Sequence, residues 1–433
     1  MLTSTIDSIA RSGVALLCAA SLATTFGASP LAAQTPAPAP QAVPLTDMLH
    51  QPGRNVTVSL LTMGTGTEVW EMFGHTAIWI RDNASGRDTV FNWGVFDSRQ
   101  PNFILHFLQG LNWYQMGGET IDQLMYQYRY LNRYVISQEL DLTVPQRDSL
   151  MQLLRVNARP ENLLYRYDYF RDNCSTRPRD LLDHVLGGQM RAKSDSLTGT
   201  TYRSQAMRLM QIEKPLVVGV DIGLGEPADE QLTLWKAMFL PRYLHDVVAK
   251  LQVRDSTGAM HPLVRGERVL FQSTREPEPV APPRLGSWLF LIGLFVAGVI
   301  VWLASRASRT RLARVTLTVV TASWCIIAGL LGIVLTILWT ATDHIFAHYN
   351  ENLLVFNPLW FVLGVLVAVY FSTGRAGRVT GYLAATLAGL CVLALFSHLA
   401  LLSKQANVSI ILLALPAALV IAWITAPVSA RRR

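Results

Sequence analysis

Apolar positions are organised differently in the two parts of this chain. Up to about residue 283 they come in short runs of strand length and in helix-period patterns, each ended by polar residues, Gly or Pro. Beyond Pro283 five much longer apolar runs follow, at about 287–305, 315–341, 359–373, 379–402 and 409–427. Most of these are long enough for a helix through a hydrocarbon core roughly 30 Å thick.

In the first part, VTVSLLTMG reads as a strand and EVWEMFGHTAIWIRD runs into a second. DTVFNWGVFD, after the turn Asn83–Arg87, forms a hairpin with the second strand. LTVPQRDSLMQLLRVNA and STRPRDLLDHVLGG have helical periodicity, with Pro near the start and Gly after the end. The expected architecture is therefore an α+β domain, carrying His75 on a sheet element and a helix just after Cys174, followed by an α-helical membrane bundle.

The N-terminus has Arg11, then an apolar run of signal-peptide length, then small residues ending at Ala33, which predicts a signal peptide over residues 1–33. An uncleaved anchor is the alternative, although the run is shorter than the ~20 residues a span needs. Cys18 follows Leu17 inside the apolar run, which argues against a lipidation signal. A Pro/Ala-rich linker, TPAPAPQAVPL, falls within 34–53 and reads as an extended spacer. The exported domain is then expected over 54–283 and the membrane domain over 284–433.

Charge sets the orientation. Residues 287–433 hold ten Arg and Lys against only Asp343 and Glu351, a net of +8, so of the total of +7 the rest of the chain carries −1. A basic surplus confined to loops between apolar spans gives no nucleic-acid footprint. RASRTRLAR, GRAGR and the terminal ARRR are arginine-rich and face the cytoplasm by the positive-inside rule. An odd number of spans leading from a periplasmic domain ends on that same side, which predicts a multi-pass protein of the bacterial inner membrane. The segment Asp343–Asn357 then returns to the periplasmic surface, with His344, His348, Asn350, Asn352 and Asn357.

Of the four cysteines, Cys18 leaves with the signal, and Cys325 and Cys391 lie in spans. Cys174 thus has no partner in a compartment that oxidises cysteines in pairs. Its surroundings, RYDYFRDNCSTRPRDLL, bring Arg171, Arg177, Arg179 and a helix N-terminus, each of which lowers a thiol pKa. A thiolate nucleophile needs a base and an orienting group. His75, at a Gly-preceded strand start, is the candidate base. Plainer readings, an inert buried cysteine and a hydrogen-bonded core histidine, stay open for each residue taken alone. No CxxC or HExxH spacing occurs, so no metal is expected.

FGHTAIWI, FNWGVFD, DNCSTRPRDLL, LWKAMFLPRYL and TDHIFAHYNENLLVFNP, in this order from about Val56 to Asn357, resemble the Lnb family of lipoprotein N-acyltransferases. The His-before-Cys order is similar to circularly permuted papain-like folds such as the lecithin:retinol acyltransferase group. The resemblance implies an enzyme without a cofactor. Cys174 would take an acyl chain from a membrane phospholipid as a thioester, and the N-terminal amine of a diacylglyceryl lipoprotein would receive it. Glu71, just before the FGH motif, is the expected third catalytic residue, ahead of Asn92 on the paired strand and Glu68. Asn173, with nearby backbone amides, is an expected oxyanion donor and Arg177 a lipid-phosphate contact, and Asn92, His344 and Asn350 complete the expected substrate-binding set. Where the resemblance leads one to expect Asp-His-Pro, this chain has Asp343, His344 and Ile345. The same thiol chemistry with water as acceptor would be a periplasmic peptidase or amidase acting on cell-wall peptides, and a non-enzymatic membrane scaffold is the remaining alternative.

Overall fold

A computed structural model describes residues 46–96, 106, 109–111, 113–255, 257–375 and 377–426. The expected signal peptide, the linker up to residue 45 and the terminal ARRR lie outside these residues.

The soluble domain is built on one antiparallel sheet of strands β1 (Val56–Met63), β2 (His75–Asp82), β3 (Asp88–Val95), β4 (Trp113–Glu119), β5 (Val135–Leu140), β6 (Leu164–Arg166) and β7 (Val264–Phe271). Their order is β7-β5-β1-β2-β3-β4-β6. The expected hairpin is β2–β3, with Ala77 opposite Asn92 and Arg81 opposite Asp88. Asp82 closes its turn by accepting from the Ala84 N–H at 2.9 Å, a local side-chain bond that favours a bend over continued strand.

Helix α1 (Ile121–Tyr130) covers one sheet face, packing Leu124 and Tyr128 on Leu61, Ala77 and Val90. Helices α2 (Val144–Asn157) and α3 (Thr176–Val185) cover the other, where Leu150, Leu154 and Leu182 meet Leu60, Ile78 and Trp93. Covered on both faces, β1 is buried at every position but Thr57. Packing starts earlier than Arg54: Met48 and Leu49 are buried in this core, and the Leu49 carbonyl accepts from Arg155 at 2.6 Å. The end of the expected linker is thus part of the folded domain.

Helices α4 (Tyr202–Met210), α5 (Lys214–Gly223) and α6 (Pro241–Lys250) complete the soluble part. Five helices long and apolar enough to cross a membrane follow the five apolar runs: α7 (Gly286–Ala307), α8 (Arg311–Thr340), α9 (Leu359–Thr373), α10 (Gly377–Leu399) and α11 (Val408–Thr425). A short 3-10 turn, Glu351–Leu354, lengthens the third apolar stretch to Glu351–Thr373. Where α8 meets α9, a Cβ on Gly329 would come within 2.1 Å of the Phe361 nitrogen, so the absence of a side chain permits the close approach.

The two parts are fastened through α5. Asn350, in the loop between α8 and α9, donates to the carbonyls of Ile222 at 2.8 Å and Gly223 at 3.0 Å. Asn352 also donates to Ile222, and Asn407 donates to Asn352 at 2.9 Å. These amides satisfy orphan carbonyls at the C-terminus of α5 in a buried setting.

Candidate active site beside the membrane loop

Gly74, with φ +78°, ends a turn in left-handed backbone and lets β2 begin at His75. His75 Nε2 lies 3.0 Å from Asn92 Oδ1 on the neighbouring strand. Asn92 Nδ2 in turn donates to Glu119 Oε1 at 2.9 Å. The register accounts for the chain, because Asn92 lies opposite Ala77, two residues along β2 from His75, and Glu119 lies opposite Val90, two residues along β3 from Asn92. All three side chains share the sheet face covered by α1, since Ala77 and Val90 on that face pack against it.

Cys174 sits in a turn built by two polar side chains. Asp168 Oδ1 accepts from the N–H groups of Phe170 and Arg171, both at 2.8 Å. Asn173 Oδ1 accepts from Ser175 N at 2.8 Å and Thr176 N at 2.9 Å, which opens α3. The thiol itself receives hydrogen bonds from the backbone N–H groups of Thr76 and of Cys174, and this places it beside the start of β2. Gly94, in left-handed backbone at φ +88°, lies alongside, with its Cβ position 3.8 Å from the Cys174 Cβ.

Burial dominates the electrostatics. It pushes the Cys174 thiol up to about 11 against the opposing pull of those N–H groups and of Arg133. Burial also lowers His75 to about 4, with the Asn92 hydrogen bond opposing and Arg133 reinforcing the shift. At neutral pH the pair is therefore a thiol and a neutral imidazole, not a thiolate and an imidazolium. The arginines near Cys174 in sequence do not reverse this, because they are engaged elsewhere. Arg177 pairs with Asp172 and lies over the Tyr165 ring at 3.9 Å. Arg179 pairs with Asp180 and stacks on Trp235, and Arg171 lies 4.9 Å from the centre of the Phe346 ring.

Several expected site residues have other places. Glu71 does not reach His75 by any hydrogen bond among the described residues; it pairs at 3.1 Å with Arg133, which is itself buried. Glu68 is exposed in the turn before it. Asn173 gives both Nδ2 hydrogens to carbonyls, of Tyr169 and Phe239, each at 3.0 Å, so it holds the turn and has no hydrogen left for an oxyanion. The bidentate bond of Arg177 to Asp172 neutralises the charge expected to meet a lipid phosphate. Asn350 is buried at the α5 junction. His344 stands 6.3 Å from Tyr169, ring centre to ring centre, beside the Cys174 turn. Asn92 sits between His75 and Glu119. Among the described residues, no three His, Cys, Asp or Glu side chains converge as a metal site.

The family model of the Lnb N-terminal periplasmic domain matches residues 51–208, and that of the Lnb transmembrane domain matches residues 278–429. The chain belongs to the Lnb family. No curated protein and no solved structure matches it. Both Lnb domains are present in order, so this is a multi-pass inner-membrane protein with its N-terminal α/β domain in the periplasm.

Within the Lnb periplasmic domain, sequence reasoning missed Glu119 and Arg133. Glu119 ends a strand one residue before the N-cap Thr120, where an acid reads as a solvated helix-start charge. Arg133 follows Asn132, a residue with φ +51°, in what reads as an exposed turn. Only the pairing of distant strands brings either one to the site.

Proposed function

We propose that this protein is a thiol acyltransferase of the membrane surface, which moves an acyl chain from a phospholipid to the N-terminal amine of a diacylglyceryl lipoprotein. Cys174 is the nucleophile and His75 the base. As sulfur attacks the ester carbonyl, the thiol proton passes to His75 and a carbon–sulfur bond forms. The proton then goes to the departing alkoxide, leaving a lysophospholipid and a thioester. The amine attacks the thioester, His75 takes the amine proton, and the thiol is restored. His75, neutral at pH 7, is free to accept a proton at each step.

The observation that carries the reading is the attachment of the Cys174 turn to the membrane loop. Phe346, from the segment between α8 and α9, is fully buried among Phe170, Tyr202 and Phe239. Asn173 binds the Phe239 carbonyl next to that cluster. Arg166, in the strand leading to the turn, pairs with Asp343 at 2.7 Å. A thiol fixed this close to the bilayer surface meets lipid-anchored substrates without a search through bulk solvent.

Exposed apolar side chains add support. Val95, Phe96, Trp113 and Leu164 are all at least one third exposed on the strand ends between Gly94 and the Arg166–Asp343 pair. Such a surface suits acyl chains and offers little to a polar cell-wall peptide.

Intact mass of the full-length protein and of its Cys174→Ala variant, after incubation with a defined phospholipid, tests the proposal. A hydroxylamine-labile acyl adduct on the wild type alone is expected. A folded wild type that releases free fatty acid or cleaves peptides without an adduct would favour the hydrolase.

A further inference from the structure

Asparagine is a poor orienting group by itself, because its amide can present either oxygen or nitrogen to a neighbour. If Asn92 turned its Nδ2 toward His75, the imidazole would have to accept there and would carry its proton on Nδ1. The nitrogen left for the thiol would then be a donor, and the base would be lost. Something must hold the amide one way round, and the polar group in reach is Glu119.

We infer that Glu119 is a positioning residue: its carboxylate fixes the Asn92 amide, and through it the His75 tautomer in which Nδ1 is the basic nitrogen. An ionised carboxylate only accepts, so Asn92 Nδ2 must face Glu119 Oε1, where it lies at 2.9 Å. Asn92 Oδ1 is thereby turned to His75 Nε2 at 3.0 Å, and that nitrogen must carry the hydrogen. The inference rests on the proposed roles of Cys174 and His75, but not on the identity of the acyl donor or acceptor.

Glu119 is only 9% exposed, and its Oε2 is buried without a hydrogen-bond partner among the described residues. A purely structural carboxylate would be expected to satisfy both oxygens. The free Oε2 is instead a place for a proton. Burial raises the Glu119 pKa to about 7, and the Asn92 hydrogen bond opposes the rise. Protonation turns an obligatory acceptor into a group that also donates, so the amide is no longer held one way. The sign follows: the tautomer is fixed above about pH 7 and released below it.

Other ionisable groups surround this chain. Tyr128, on α1, is close enough to sense Glu119, and burial raises its pKa further, so it stays a neutral phenol. Arg133 lies over the Tyr128 ring at 4.7 Å and is paired with Glu71. Asp88, toward the other end of β3, is taken up by the Ile121 N–H at 3.0 Å. His75 and Cys174 titrate near 4 and 11.

The test is the rate at which iodoacetamide alkylates Cys174 in the full-length protein in detergent, followed by mass from about pH 5 to about pH 9. A thiol that ionises near pH 11 reacts about tenfold faster per pH unit across this range by itself, and wild type is expected to exceed that slope through an inflection near pH 7. Glu119→Gln, which presents an amide that can face Asn92 either way, is expected to lose that inflection and to react about tenfold more slowly at pH 8. Glu119→Asp, which restores an acceptor-only group, should recover part of both. A wild-type rate that rises by a constant tenfold per pH unit between about pH 6 and 8, or a Glu119→Gln profile that keeps the inflection, overturns the inference. Should Glu119→Gln fail to fold, Asn92→Ala takes its place: the inflection must vanish when the link is cut, and its persistence overturns the inference equally. Because alkylation needs no lipid, a missing acyl adduct would count against the proposed function and leave this result standing.

Discussion

Phe170 and Phe346 meet edge to face with ring centres 4.7 Å apart, one in the turn that carries Cys174 and the other in the loop between two membrane helices. The turn that carries the candidate nucleophile is thus packed onto the membrane domain through Tyr169, Phe170 and Arg171. Phe346→Ala would leave a cavity lined by Tyr169, Phe170 and Tyr202, at a cost of about 3–5 kcal/mol. Thermal unfolding should show the loss. If the Cys174 turn loosens with the packing, acyl-adduct formation should fall more than the fraction of unfolded protein explains.

The partly buried thiol gives a second prediction. Because the Cys174 pKa is raised to about 11, the thiolate absorbance near 240 nm, taken as the difference between wild type and Cys174→Ala, should be absent at about pH 8 and appear only above about pH 10. A thiolate signal at neutral pH would mean a preformed ion pair with His75. Since His75 is neutral above about pH 4, it should act as a base in the chemical step, and His75→Ala should slow thioester formation by about 10²–10⁴-fold without abolishing lipid binding.

How far the sequence reached depends on the distance over which each feature is determined. The β2–β3 hairpin and helix α3 follow from turn residues and periodicity within a few positions, and the five membrane helices follow from length and apolarity alone. The Cys174 and His75 pairing came from motif order. The Glu119–Asn92–His75 chain depends on the register between β3 and β4, which no local pattern encodes. Asn173 was misread for a related reason. Adjacency to a nucleophile suggests an oxyanion donor, yet the turn that exposes Cys174 itself uses the Asn173 amide, oxygen and nitrogen alike. The expected activation of the thiol by nearby arginines failed because sequence neighbours on a turn and a helix point in different directions.

Glu71 and Asn92 give opposite expectations if the orienting chain is as drawn. Glu71 pairs with a buried arginine, so Glu71→Gln strands the charge of Arg133 and should destabilise the domain by about 3–5 kcal/mol. Its alkylation profile against pH should keep the wild-type shape, measured well below the melting temperature. Asn92→Ala should do the reverse, with a smaller loss of stability and a changed profile. A Glu71→Gln profile lacking the inflection near pH 7 would return Glu71 to the role expected from its place before the FGH motif.

The Asn350 junction separates presentation of the substrate from chemistry. Asn350→Leu removes hydrogen bonds to the Ile222 and Gly223 carbonyls; Ile222 keeps its bond from Asn352, whereas the partly buried Gly223 carbonyl loses this partner, at a cost of about 1–3 kcal/mol. None of the lost bonds touches Cys174, His75, Asn92 or Glu119, so iodoacetamide should alkylate Cys174 at the wild-type rate. The acyl donor is different, because it must come from the bilayer to a thiol held at a fixed place beside it. If the docking of α5 on the membrane bundle sets that place, thioester formation from phospholipid vesicles should drop several-fold while alkylation does not. Equal losses in both reactions would instead mean that the junction supports the fold of the catalytic domain as a whole, and the contact of the Cys174 turn with Phe346 would then suffice to present the thiol to lipid.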